Sequence, residues 1–230
     1  MATAARIPTN MSRRPMTIEG NILTLAQWLS PGFPVGAFAY SHGLETAITD
    51  GTIATADDLQ GWLEDILRHG TGRNDCILLR AAHGSRSESE LENIGAAALA
   101  FAGSAERVLE TSLQGAAFGR TTAAIWGGDG VDLPYPVAVG TAAARLEIDA
   151  GTTAAMYLQA FVANLVSAAV RAVPLGQTEG QGVLAALSPL CLQIATETAS
   201  TTLDHLQSTA FLSDIAAMRH EALQPRIFRS

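Results

Sequence analysis

Apolar residues recur along this chain with the three-and-four spacing of helices, and no stretch alternates with a period of two under β-branched enrichment, so the pattern predicts an all-α fold. Ile22, Leu23, Leu25, Ala26 and Leu29 predict a short helix ending at Ser30-Pro31, and Leu44 with Ile48 a short one closed by Asp50-Gly51. Leu59, Trp62, Leu63, Ile66 and Leu67 share one helix face after a capping-box start at Thr55, with Gly70 as the stop. Asn74 or Asp75 is expected to cap the next helix, which carries Ile77, Leu78, Ala81 and Ala82 to Gly84. Ser87 with Glu90 opens an alanine-rich helix through Phe101, and Val108 to Phe118 extends helically toward Trp126. The loop containing Gly127, Gly128 and Gly130 precedes a short helix over residues 137–146. Beyond Pro174 the expectation is a helix over 177–187, a break at Ser188-Pro189, helical continuation through Leu206 and a last helix capped by Asp214.

The stretch over residues 152–173 is apolar on nearly every face, with Met156, Leu158, Phe161, Val162, Leu165, Val166 and Val170 at helical spacings. A helix of that kind is either buried or membrane-spanning. Gln159, Asn164, Ser167 and Arg171 interrupt it and alanine supplies much of the rest, whereas a span needs about 20 more strongly apolar residues. The expectation is a single-domain helical bundle around this buried central helix, stopped by Pro174. The irregular segment over 31–45 is rich in apolar and aromatic side chains and is expected to pack against the bundle.

Composition narrows the function. At 230 residues there is one sizeable core. A net charge of −8 without an arginine cluster makes nucleic acid and anionic membrane poor partners. All 14 positive residues are arginine, which removes a Walker A lysine, a Schiff-base lysine and a lysine general base. Cys76 and Cys191 lie far apart outside any CxxC pattern and read as buried thiols. His42, His69, His83, His205 and His220 show no HxxxH or HExxH spacing, so no metal ligand or cofactor is read from them. Arg13-Arg14 is followed by no apolar signal region; residues 1–20 are expected to be a flexible tail, with residues 21–230 forming the domain in the cytoplasm.

Four segments carry a resemblance: SPGFPVGAFAYSHGLE (30–45), LPYPVAVG (133–140), VSAAVRAVPLGQTEGQ (166–181) and HEALQPRIFRS (220–230). In this order they resemble the UreF family of urease accessory proteins. The resemblance implies a non-enzymatic, all-helical, dimerising protein that binds the accessory protein UreD (also called UreH) and recruits the GTPase UreG. The complex would engage urease apoprotein for nickel delivery and lysine carbamylation. Ala39 and His42 depart from the family's SYSQGLE, and Ala172 stands where a larger apolar residue is usual.

Within these motifs Pro34, Gly36 and Gly43 are expected to hold the backbone, with Ser41 and Glu45 in the same segment. Residue chemistry alone leaves Tyr40 open between a core tyrosine and a partner of the C-terminal arm (225–230); the resemblance favours fastening through Arg226 or Arg229, with Phe228 and Ser230 in the arm. Arg171 is expected to pair with a carboxylate, Glu179 or Glu45, or to face an internal polar path, and Gln177 and Gln181 share a helix face. That polar set reads as structural, or, by family analogy alone, as a metal-ion route. The enzymatic rival is Ser41 in AYSHG as a hydrolase nucleophile, which needs a parallel sheet the pattern does not provide. A helical scaffold for another assembly would differ by failing to co-purify with UreD.

Overall fold

The computed structural model describes residues 17–230, and among these it is built of ten α-helices with no strand. The expectation for residues 1–16 lies outside the described residues. Residues 18–20 already belong to α1 (Ile18–Trp28), because Thr17 accepts the Gly20 amide and caps the helix there.

A 3-10 turn at Ala37–Ala39 and the short α2 (Leu44–Thr49) follow. α3 (Ala56–His69) starts at the reciprocal Thr55–Asp58 capping box and buries Leu59, Leu63, Ile66 and Leu67. α4 (Thr71–Gly84) begins before the expected cap, so Asn74 and Asp75 are buried side chains inside the helix. α5 (Glu88–Ala100) is capped by Ser87, α6 (Ala105–Trp126) by Ser104, and α7 spans Tyr135–Arg145. α8 (Ala150–Ala172), capped by Asp149, packs most extensively on α9 (Gln177–Glu197). α9 runs through Pro189 without the expected break. Val183, Leu187, Leu190, Cys191 and Ile194 stay buried on either side of it, and that packing outweighs the one missing donor. Two more 3-10 turns lead to α10 (Phe211–His220), which starts three residues before Asp214.

Close backbone approaches set the packing. A Cβ on Gly140 of α7 would lie 2.1 Å from the Leu79 carbonyl of α4, and one on Gly115 of α6 would overlap the backbone at Leu133. Trp28, Phe118, Phe33 and Tyr135 stack edge-on or tilted at 5.4–5.7 Å beneath the irregular segment. Cys76 and Cys191 are free, buried thiols. α8 and the helical run over 177–200 are long and apolar enough to cross a membrane, but α8 is packed against α9, α4 and α2.

α8 is not sheathed on all sides. Leu158, Val162, Leu165 and Val166 are buried, while Met156, Phe161, Asn164, Ser167 and Val170 are half-buried and Arg171 is exposed. That second side faces a cavity and then, at the last turn, open surface.

Candidate functional site

The segment over residues 36–45 turns sharply. Gly36 and Gly43 both have φ +76, and His42 has φ +55, a left-handed conformation that L side chains adopt at a cost. Gly43 is required twice over, because a Cβ there would lie 2.5 Å from the Ala217 amide nitrogen of α10. The turn drives residues 40–47 into the molecule: Tyr40, Ser41, His42, Leu44 and Glu45 are all buried.

The C-terminal arm docks on this segment mostly through backbone groups. The Ile227 and Phe228 amides donate to the Glu45 carboxylate at 2.6 and 2.9 Å. The Arg229 amide donates to the Ala39 carbonyl at 2.7 Å, and the Ser41 amide and hydroxyl both donate to the Ser230 carbonyl. Ser230 Oγ donates to Glu110 at 3.0 Å. Phe228 and Ser230 are buried, whereas Ile227 is 70% exposed and Arg226 and Arg229 face solvent.

Two buried polar clusters receive the arm. In the first, His220 joins Glu106 (Nδ1, 2.7 Å) to Glu45 (Nε2, 3.0 Å), and Arg226 closes on the other Glu106 oxygen. Burial would raise the Glu45 pKa, but the hydrogen bonds from His220, Ile227 and Phe228 outweigh it and hold the carboxyl below its ordinary range. In the second, Glu110 meets Arg107, His42 (2.9 Å) and Gln114 (2.9 Å). Its burial is likewise outweighed, here by Arg107 and His42, and its pKa falls to about 2. Burial and the nearby Arg107 cation push His42 down.

Arg171 does not pair with Glu179 or Glu45. Glu179 accepts the Gly176 amide at the start of α9, and Glu45 is occupied by the arm. Arg171 emerges at the surface end of α8, donates to the Phe38 carbonyl at 3.1 Å and lies 4.7 Å from the centre of the Phe228 ring. It therefore clamps the irregular segment and the arm together. Tyr40 is buried beside the arm, which is fastened by the backbone of its neighbours Ala39 and Ser41 and by Arg226 on Glu106, not by an arginine on the Tyr40 side chain. Pro34, Gly36, Gln177 and Gln181 are exposed and make none of these contacts.

Sequence reasoning missed Glu106, Arg107, Glu110 and His220 as the receiving groups. A signal was available: Glu106, Glu110 and Gln114 recur every four residues and so line one face of α6. Ser41 is no activated nucleophile, since its hydroxyl donates to a carbonyl and His42 is turned to Glu110 and Arg107.

A family model described as UreF matches residues 53–188. The urease accessory protein UreF of Ruegeria pomeroyi is 52% identical over 212 residues, covering 92% of this chain and 98% of the relative. That of Roseobacter denitrificans is 54% identical over 208 residues, covering 90% and 93%. That of Jannaschia sp. is 48% identical over 211 residues, covering 92% and 95%. With identity near one half over nine-tenths of the chain, this all-helical protein belongs to the UreF family.

Proposed function

We propose that this chain is a non-catalytic accessory protein of urease maturation in the cytoplasm, which binds UreD (UreH), recruits the GTPase UreG and promotes nickel delivery to, and lysine carbamylation of, urease apoprotein. The observation that carries the reading is the docked arm. Burying Phe228 and Ser230 while leaving Ile227, Arg226 and Arg229 outward turns six residues into an ordered surface of arginine and apolar side chains, the composition of binding anchors. Beside it, Phe211, Leu212, Ile215 and Met218 of α10 expose an apolar face at helical spacing, more than a lone surface leucine needs. Further apolar side chains on α1 and α6, including Leu23, Leu109 and Ile125, favour self-association as a homodimer. The function is tested by co-expressing the urease structural and accessory proteins with and without this chain, scoring nickel content and urease activity. Equal activity and nickel in both would reject the role.

A further inference from the structure

A cavity of about 150 Å³ lies between the half-buried side of α8, the wall of α6 and the irregular segment over 29–42. Its walls are mainly apolar: Phe33, Val35 and Phe38 from the segment, Ala160, Phe161 and Ala163 from α8. This is the size at which an apolar protein cavity holds a benzene-sized guest. The polar groups that reach it are largely committed to one another. Asp75 accepts the Tyr157 hydroxyl at 2.7 Å, and Glu110 is met by Arg107, His42 and Gln114. With cation and carboxylate already paired, the lining offers little to an ion, and among the described residues no three His, Cys, Asp or Glu side chains converge as metal ligands. Several neutral groups lack such a commitment, among them the hydroxyls of Tyr135 and Ser167 and the side-chain oxygens of Asn164 and Gln114. The Tyr135 hydroxyl has no hydrogen bond among the described residues, and Asn164 uses its amide nitrogen on the Ala37 carbonyl while its oxygen has no described donor.

We infer that this cavity is a binding site for a small uncharged molecule with an aromatic or branched aliphatic body and a single hydrogen-bonding group. The apolar body fills the space between Phe33, Phe161 and Ala163, and its polar group takes the Tyr135 hydroxyl. The Tyr135 hydroxyl borders the cavity without a described partner, so a guest that hydrogen-bonds it adds a contact while its body covers the apolar walls. Charged ligands are disfavoured because they would have to break the Glu110 or Asp75 pairs. The site is independent of the assembly role proposed above.

Phenol and toluene serve as probes on the full chain, with binding read by ligand-observed NMR and by the rise in melting temperature. Saturable phenol binding is expected. Ala163→Leu, which fills the space, weakens both probes at least tenfold. Tyr135→Phe, which deletes only the hydroxyl, weakens phenol several-fold and leaves toluene unchanged. Absence of saturable binding to the native chain overturns the site, as does a folded Ala163→Leu protein that binds both probes like the native one. Should Ala163→Leu fail to fold, Tyr135→Phe decides, and equal loss or retention of both probes overturns the proposed geometry.

Discussion

The carboxylate of Glu45 accepts the backbone amide of Phe228 at 2.9 Å, across 183 positions of sequence. Its other oxygen holds Ile227. Because the contact is between a charged acceptor and main-chain donors, it fixes the path of the arm whatever the arm's side chains are. Hydrogen bonds to a charged group are worth about 1.5 to 3 kcal/mol each. Glu45→Gln keeps the shape and removes the charge, so amide exchange at Ile227 and Phe228 should accelerate by at least tenfold while the amides of α3 and α4 stay protected. Unchanged protection at both residues would remove Glu45 as the anchor.

Truncation after Gln224 should leave the helical content intact. Melting should nevertheless fall by several degrees, because Phe228 is 3% exposed and the removal strips donors from Glu45 and Glu110. Capture of UreD with UreG by the truncated chain should be lost in pull-down; retention of both partners would make the arm dispensable.

Arg171→Met should change stability by less than about 1 kcal/mol, since Arg171 is exposed and contributes a cation–π contact and a hydrogen bond to a carbonyl. Methionine still covers Phe228. We expect UreD binding to persist and urease activation in the co-expression system to fall; full activation would leave Arg171 a surface clamp and nothing more.

Gly43 and Gly36 share the same φ of +76 and should respond very differently to alanine. At Gly36 the added methyl meets open space, so the cost is that of the left-handed conformation, about 1 kcal/mol. At Gly43 it meets the α10 backbone at 2.5 Å and either α10 or the turn must move. Thermal denaturation of the two variants should therefore separate clearly, with Gly43→Ala much the lower.

Two buried carboxyls, Asp75 and Glu110, pull stability in opposite directions with pH. Burial raises Asp75 from 3.8 to about 6, partly offset by the Tyr157 hydrogen bond, so the folded chain holds a proton that the unfolded chain releases. Stability from this group is present below pH 3.8 and lost as pH rises through 6, a penalty of about 3 kcal/mol above that. Asp75→Asn, whose amide oxygen can still accept from Tyr157, should melt higher than the native chain at pH 8 and no higher at pH 4. Glu110, at about 2 against an ordinary 4.5, stabilises fully above pH 4.5 and loses that contribution as pH falls toward 2. Glu110→Gln should accordingly destabilise at neutral pH and matter least near pH 2. Parallel melting curves for the native and variant chains across this range would contradict both assignments.

The helices were legible where local signals and burial agree: Thr55–Asp58 and Ser87 start helices, and Gly70 and Gly84 lie at helix ends. They were misread where tertiary packing overrules a local cue. Asn74 and Asp75 look like caps, yet Asn74 instead binds the loop at Gln207 and Asp75 binds Tyr157. Pro189 looks like a break, yet the α9 face on either side of it is buried. Arg171 looked like a buried charge because its neighbours are apolar. Spacing cannot show that α8 reaches the surface at that turn. Tyr40, Ser41, Glu45 and the arm were each singled out, but their meeting is a long-range fact for which one sequence carries no register, and the Glu106, Glu110 and Gln114 stripe of α6 marks a polar face without showing what it receives.

Order of synthesis gives the docked arm a further meaning. Ser41, Glu45, Glu106 and Glu110 leave the ribosome more than 115 residues before Ile227 does. The helices they belong to can fold in the meantime, with Glu45 and Glu110 waiting for donors that do not yet exist. A chain interrupted between the end of α10 and residue 227 would carry the bundle without the composite face, so whatever reads that face is also reading that translation has run through the arm.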